Sequence, residues 1–313
     1  MHLTQKTMPK IILLLTCLFV ASTVNSQQVA DTSYNPVIHD PAYSSGNGPV
    51  VFIDEGHNNF HTKDGRYLAF AKLLERDGYL VKSYSGTLKK KHLKKGKILV
   101  ISNALNEVNI RNWVLPNPSA FTEKEIAAVE NWVSKGGSLF LIADHMPMAG
   151  AAEDMAQAFG FEFTNGFVFH DSIRGPAIFN METGSLSENI ITRGSNEKEA
   201  VKQVASFTGQ VFKCPVDADP ILTFKGDYVN MLPDTAWVFN ADTKQISADG
   251  WTQGAYKKHG KGRIVVFGEA AMFSAQLAGP QKFRAGMNSD AAPENYQLLL
   301  NIIHWLDGKL EDD

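Results

Sequence analysis

The sequence predicts an α/β protein built on a doubly wound, mostly parallel β-sheet with a β-rich insertion. Three continuous apolar runs, residues 50–53, 138–143 and 264–268, have the length and composition of buried strands. Segments with helical periodicity separate strands of this kind over much of the chain. Each of the three runs ends in acidic or imidazole side chains. Because the ligand site of an open α/β sheet lies at the carboxyl ends of its strands, we expect any chemistry at that edge.

The first 26 residues have the features of a secretory signal peptide. Lys6 and Lys10 precede an apolar run over residues 11–21, and small side chains lead to an expected cleavage site near Ser26. The apolar run is too short to span a membrane. We therefore expect a secreted or periplasmic protein with no membrane span. The polar residues 27–48 are predicted to form a linker or an arm.

The composition is that of an ordinary globular chain, with 44% hydrophobic and 20% charged residues. Loss of residues 1–26 would change the formal net charge from −3 to −5, which argues against non-specific binding of nucleic acid. The lysine-rich segment 89–97 is expected to be solvated, with an anion-binding patch as the alternative. Only Cys214 would remain after cleavage, so neither a disulfide within the chain nor a cysteine-based metal site is expected.

The order of the remaining elements assigns residues 49–160 and 259–313 to one α/β domain. After the first strand, apolar residues at helical spacing predict a helix over 65–77, and short strands follow at 79–81 and 98–101. A capping box then predicts the start of the next helix, because Glu follows Thr at the third position. Two further helices are predicted on either side of the last strand. They cover residues 151–159 and 295–306.

The pattern changes between residues 161 and 258, where short β-like pieces predict the β-rich insertion. This segment leaves the domain after one strand that ends in acidic side chains and returns before another, so we expect it to lie over the carboxyl edge of the sheet. Its aromatic side chains would line the approach to a ligand, as stacking surfaces for a sugar ring would, or form the core of the insertion itself. These side chains are Phe167, Phe169, Phe179, Trp251 and Tyr256.

The turn after the first strand is the first candidate site. It places the carboxylates of Asp54 and Glu55 near the imidazoles of His57 and His61, with Asn58 between them. Groups of this kind on a rigid strand end suit catalysis or metal binding. The alternative is a polar turn in which Asp54 caps a helix and Asn58 satisfies backbone groups.

Asp144 and His145 end the second strand and form the second candidate site. A carboxylate beside an imidazole can orient it as a base or bind a metal together with it, although a buried structural pair is the alternative. Glu269 ends the third strand, where a helix cap or an ion pair would also explain it. Asn103 provides a neutral hydrogen-bond donor at the end of the strand 98–101.

These residues together suggest a divalent metal site, most simply zinc, or direct activation of water. A carboxylate would act as general base. The predicted metal ligands are Asp54, His57, Asp144 and His145, the predicted catalytic residues are Glu55 and Glu269, and the predicted substrate contacts are Asn58 and Asn103. No glycine-rich dinucleotide motif, phosphate loop or serine nucleophile elbow is present, so no nucleotide cofactor is expected.

Four of these segments carry a resemblance to a known superfamily. They are residues 52–57, 121–139, 142–145 and 262–269. On them the chain resembles the class I glutamine amidotransferase-like (flavodoxin-like) superfamily. Within it, the chain is most similar to the uncharacterised bacterial family called domain of unknown function 4350, and more distantly to ThuA-like proteins of trehalose utilisation. The resemblance implies a flavodoxin-like sheet over roughly residues 49–160 and 260–308.

The chain departs from this superfamily at its catalytic cysteine. True glutamine amidotransferases carry a cysteine nucleophile on a tight turn between a strand and a helix, whereas the comparable turn here carries Asp144 and His145. Cys214 lies in the predicted insertion. We therefore expect no glutaminase chemistry by the thiol route.

Two functions are consistent with these observations. The first is an exported hydrolase-like enzyme that acts on a small polar substrate, for example a carbohydrate derivative, at the carboxyl edge of the sheet. The alternative is a non-catalytic ligand-binding or scaffold domain that lacks the amidotransferase nucleophile. The sequence carries no signal for an oligomeric state.

Overall fold

Helices and strands alternate along the first half of the chain, and strands predominate in the second half. The computed structural model describes residues 28–311, so the predicted signal peptide lies outside the described residues. The helices are α1 (Leu68–Arg76), α2 (Lys90–Leu93), α3 (Glu123–Ser134), α4 (Met148–Gln157), α5 (Ile190–Arg193) and α6 (Asn295–Asp307). The strands are β1 (Gln28–Ala30), β2 (Val50–Asp54), β3 (Leu80–Tyr84), β4 (Ile98–Ser102), β5 (Ser138–Ile142), β6 (Glu162–Phe163), β7 (Phe167–His170), β8 (Ala177–Asn180), β9 (Gln203–Ser206), β10 (Phe212–Lys213), β11 (Asp219–Thr223), β12 (Tyr228–Leu232), β13 (Lys244–Ser247), β14 (Thr252–His259), β15 (Gly262–Phe267), β16 (Ala275–Ala278) and β17 (Phe283–Gly286). No helix in this part of the chain combines the length and the apolar character needed to cross a membrane.

The main sheet of the described chain has nine strands and is mixed. Its order is β3-β2-β4-β5-β15-β14-β10-β6, with β11 also paired to β14. The first five strands in this order are parallel, whereas the strands beyond β15 are antiparallel. The expectation of a mostly parallel sheet therefore needs correction on the β15 side. The cause is a hairpin between β14 and β15. Only two residues connect these strands, which is too few for a parallel connection. Gly260 adopts the positive φ, 59°, that this tight turn needs.

Helices cover both faces of the parallel strands. Val51 and Ile53 of β2 pack in a cluster with α1 and α6, whereas Phe52 between them packs in a second cluster with α3 and α4. Successive side chains of a strand point to opposite faces, so this alternation places one helical layer on each side of the sheet. Burial on both faces explains why these strands read as continuous apolar runs.

The predicted capping box forms at the start of α3. The backbone N–H of Glu125 donates to the Thr122 hydroxyl, and the Glu125 carboxylate accepts from the Thr122 backbone N–H at 3.1 Å. The helix predicted over residues 65–77 is α1, which starts three residues later. Gly78, at φ 97°, ends it.

Residues 161–258 contain strands β6 to β13, most of β14, and the four-residue helix α5. Strands β7, β12 and β13 form one small sheet, and β8 and β9 form another. The other strands of this segment extend the main sheet, so the segment is continuous with it. The predicted division into a domain and an insertion stays a prediction. In the predicted arm, β1 pairs with β16.

Candidate functional site

A pocket of about 380 Å³ lies at the carboxyl ends of β4, β5 and β15. Asn103 follows the last residue of β4, and Asp144 and Glu269 come two residues after β5 and β15. All three side chains line the pocket, and so does His145. The parallel register of these strands therefore brings four of the eight predicted site residues to one place at the sheet edge.

Glu269 is the most strongly perturbed acid of the pocket. Its side chain is 1% exposed, and burial, together with the charge of Asp144, raises its pKa to about 8. Its two oxygens accept hydrogen bonds from the backbone N–H groups of Ala271 and Met272, at 2.7 and 2.8 Å, which favour the anion without cancelling the effect of burial. Glu269 is therefore largely protonated at neutral pH, in a fixed orientation.

Asn103 positions the neighbouring strand ends. Its backbone adopts a φ of 48°, and its side-chain Oδ1 accepts from the backbone N–H of Asp144 at 2.8 Å. Its Nδ2 donates to Nδ1 of His61 at 3.2 Å. Its backbone oxygen also accepts from Phe60 N at 2.9 Å. The amide predicted to contact substrate is thus engaged in joining the ends of β4 and β5 to the loop after β2.

His145 is enclosed by aromatic rings. Its ring stacks on Phe167 with centroids 4.2 Å apart, and Trp237 meets its edge at 4.8 Å. Its Nδ1 lies 2.7 Å from the backbone oxygen of Met146, and the hydrogen bond to that acceptor puts the proton on Nδ1. In the tautomer that this hydrogen bond requires, Nε2 is the nitrogen without the proton.

Of the five aromatic side chains that were expected to line the approach, none lines the pocket. Phe167 stacks on His145, and Phe169 stacks in turn on Phe167, so both lie behind the pocket lining. Phe179 and Tyr256 belong to the core, and Trp251 packs against it. These three side chains therefore have a packing role, which was the alternative to lining the approach to a ligand.

Arg66, Trp113 and Trp237 are among the pocket-lining side chains that sequence reasoning missed. Arg66 lies between β2 and α1, in a connection that must run along the carboxyl edge, and this position is a signal that was overlooked. The two tryptophans lie in loops without periodicity. An isolated bridge between Val114 and Thr235 brings those loops together, and a contact over such a sequence distance leaves no local pattern.

Asp54 and His57 form a second network, outside the pocket lining. Nδ1 of His57 lies 2.9 Å from Oδ2 of Asp54, and Nε2 lies 3.2 Å from Oε1 of Glu125. The imidazole is only 7% exposed, and the two carboxylates raise its pKa despite burial. Glu125 is also the N3 residue of the capping box of α3, so this network connects the turn after β2 to that helix.

Glu55 and Asn58 also lie outside the pocket lining. The Glu55 carboxylate accepts from the backbone N–H of Lys63 at 2.8 Å and from the Ser83 hydroxyl at 2.9 Å. Asn58, at φ 50°, donates to the backbone oxygen of Leu105 at 3.2 Å. Both side chains hold the turn after β2 in shape.

The four predicted metal ligands do not come together as one set. Both ring nitrogens of His57 face carboxylates, and no group of three or more His, Cys, Asp or Glu side chains within residues 28–311 is arranged to hold a metal ion. Asp144 and His145 line the pocket, whereas Asp54 and His57 do not. The zinc site stays a prediction.

Comparison with solved structures finds a shared fold. The N-terminal domain of mmIFT52 matches with a TM-score of 0.59 and 13% identity, over 82% of this chain and 97% of that domain. At this identity the match shows a shared fold and carries no information on activity. No family model matches the chain, and no curated protein matches it.

Structures of the kind that the sequence resemblance named are also found. A protein described as ThuA-like from Bacteroides uniformis has a TM-score of 0.47 at 12% identity, over 86% of this chain and 96% of its own. A protein described as a component of GMP synthase, from Thermoplasma acidophilum, has a TM-score of 0.42 at 11% identity, over 83% of this chain and 94% of its own. With TM-scores below 0.5, neither match carries an argument.

Proposed function

We propose that the protein is a hydrolase-like enzyme that acts on a small polar substrate in the pocket at the carboxyl edge of the sheet. The observation that supports this is that Asp144 and the buried Glu269 line one pocket, where burial and the charge of Asp144 raise the pKa of Glu269 to about 8. Carboxyl groups held in different protonation states are a common arrangement for acid–base catalysis. The volume of about 380 Å³ is in the range of small-molecule sites, and the tryptophan rings would suit the apolar face of a sugar.

In this mechanism Glu269 is the general acid and Asp144 the general base. Asp144 takes a proton from a water molecule, whose oxygen attacks the substrate. Glu269 gives its proton to the departing oxygen, which leaves as a hydroxyl group. This assigns Glu269 the role opposite to the base role expected from the sequence, because its raised pKa keeps it protonated at neutral pH.

Activity of the purified protein on a panel of chromogenic glycosides and esters tests this proposal. Asp144→Asn keeps an oxygen that can accept from His145 N, and Glu269→Gln keeps the size of the side chain. We expect either change to lower kcat by about 10²–10⁴-fold. Activity of the parent protein should fall as pH rises through about 8, as Glu269 loses its proton. Turnover that is unchanged in both variants would overturn the proposal.

The fold and location that go with this function are also proposals. The parallel strands, taken in chain order, are arranged 2-1-3-4-5, which supports a flavodoxin-like, doubly wound core. The strand-rich composition of residues 161–258 supports an insertion into that core. The N-terminal sequence supports export. Elemental analysis tests the zinc site, through the metal content of the purified parent protein and of the His145→Ala variant.

A ligand-binding or scaffold domain without catalysis is the second candidate. It is favoured by apolar side chains that are exposed in two segments beside the pocket, near Trp113 and Trp237. These side chains are Val108, Ile110, Leu115, Trp237, Val238 and Phe239. Ligand binding by calorimetry without turnover of any substrate in the panel would support this candidate over the enzyme.

A further inference from the structure

Arg66 is the one lysine or arginine that lines the pocket within residues 28–311. Its guanidinium lies 3.7 Å above the centroid of the Phe60 ring, and it makes no hydrogen bond or close ion pair with any residue of this range. The side chain is half-buried, and Asp144 is the acid whose charge acts on it. A guanidinium has five N–H donors in a planar fork, and here the fold leaves all of them for a ligand.

His61 supplies an unpaired donor on the same pocket lining. The Asn103 amide oxygen is engaged by a backbone N–H, so its NH₂ group donates to Nδ1 of His61, and the His61 proton must lie on Nε2. Nε2 is buried and has no hydrogen-bond partner among the described residues. Burial and the charge of Arg66 lower the pKa of His61 to about 3, so the ring is neutral. A buried N–H group without a hydrogen-bond partner lowers stability. A ligand oxygen that accepts a hydrogen bond from Nε2–H would remove this cost.

The charges of the pocket select the kind of anion. At neutral pH the Arg66 cation faces the Asp144 carboxylate, and Glu269 is largely uncharged. The single negative charge of a monoanion would be balanced by the single positive charge of the Arg66 guanidinium. A phosphate dianion would add a second negative charge close to Asp144 without a further cation to balance it. The planar fork also matches the two oxygens of a carboxylate.

We propose that the substrate of this pocket carries a carboxylate, which the guanidinium of Arg66 binds with the Nε2–H of His61 as a second donor. The chemical class is a small hydroxy acid or sugar acid, whose reacting bond lies on the side of Asp144 and Glu269. This inference deepens the proposed function because it concerns the same pocket. Binding and turnover are measured separately, so that one can fail without the other.

Calorimetry on the full chain with matched pairs of probes tests the inference. The pairs are glucuronate and glucose, galacturonate and galactose, and gluconate and glucitol, with inorganic phosphate as a further probe. We expect at least one acid to bind ten-fold or more tightly than its neutral counterpart. Arg66→Gln should weaken that acid at least ten-fold, and Arg66→Lys should weaken it less, since it keeps the charge and loses the fork.

Arg111→Gln is the matched control, because Arg111 is exposed, lies outside the pocket lining and undergoes the same change of charge. It should bind the acid as the parent protein does. The inference is overturned if no acid binds more tightly than its neutral counterpart, if phosphate binds and the acids do not, or if Arg66→Gln and Arg111→Gln behave alike. Acid binding that depends on Arg66 without any turnover would uphold the inference and overturn the hydrolase.

Discussion

His57 shows how the same residue types support function or structure according to their partners. Its two ring nitrogens face two buried carboxylates, so the imidazole is part of a closed network at the end of β2. Asp144 and His145 face a pocket instead, where a ligand can reach them. The sequence shows acidic and imidazole groups at both strand ends, and only the packing around them separates the two roles.

Removal of His57 should strongly destabilise the protein. His57→Ala would leave the Asp54 carboxylate buried with the backbone N–H of Gly56 as its remaining hydrogen bond, and loss of one partner of a buried ion pair costs about 3–5 kcal/mol. Chemical denaturation measures this change in the free energy of unfolding. Adding Asp54→Asn to the variant should recover part of the loss, because the unpaired charge is then removed.

His39→Ala provides the control for this measurement, because His39 is exposed. A substitution of this kind usually changes stability by no more than about 0.5 kcal/mol. Equal stability of the His39 and His57 variants would show that the network contributes nothing.

At the scale of elements, the loop between β9 and β10 holds Glu269 in place. The backbone N–H of Gln210 donates to Gly268 O at 2.8 Å, and the Gln210 side chain accepts from Thr164 N at 2.9 Å. Gly209 lies against the end of β15 with a φ of 81°. A Cβ at that position would overlap the backbone oxygen of Gly268 and lie 2.8 Å from Cβ of Glu269. The close approach of this loop depends on the absence of a side chain.

Gly209→Ala should therefore destabilise the protein and disturb the pocket. Gly226 offers a matched control, since its φ is 83° and an added Cβ would meet nothing within 4 Å. Gly226→Ala should cost about 1–2 kcal/mol for the left-handed backbone alone, and Gly209→Ala should cost more because overlap is added. Thermal unfolding compares the two. Equal losses would show that the loop can move away from Glu269 without cost.

At the scale of the whole molecule, the sequence predicts the parallel part of the sheet and the edge that carries the pocket. Buried strands and their polar ends are local features, so Asn103, Asp144, His145 and Glu269 were identified from the chain alone. The hairpin between β14 and β15 is a local feature that the sequence analysis did not identify. The pairings of β10, β6 and β11 and the contribution of Trp237 depend instead on contacts between distant segments, which leave no local pattern in the sequence.

Stability of the molecule should also depend on pH in a defined direction. Glu269 has a pKa of about 8 in the folded protein and an ordinary value of 4.5. The folded state therefore binds more protons than the unfolded state between these values. The stability that Glu269 contributes is fully present below about pH 4.5 and is lost as pH rises through about 8. The pKa of His57 is also raised, from 6.5, so the stability that His57 contributes is likewise lost as pH rises above 6.5 and through the pKa of the folded state.

His61, whose pKa is lowered from 6.5 to about 3, opposes this trend until pH rises above 6.5, where the unfolded state also loses the His61 proton. We accordingly expect the free energy of unfolding to decrease as pH approaches about 8 from below. Each proton held by the folded state alone contributes a slope of about 1.4 kcal/mol per pH unit. Denaturant titrations across this range measure the slope. Glu269→Gln should remove the part due to Glu269. Asp144→Asn should move the decrease to lower pH, because the charge that helps to raise the pKa of Glu269 is gone. A stability that rises over this range would mean that Glu269 is ionised in the folded protein, and its role as a general acid would fail with it.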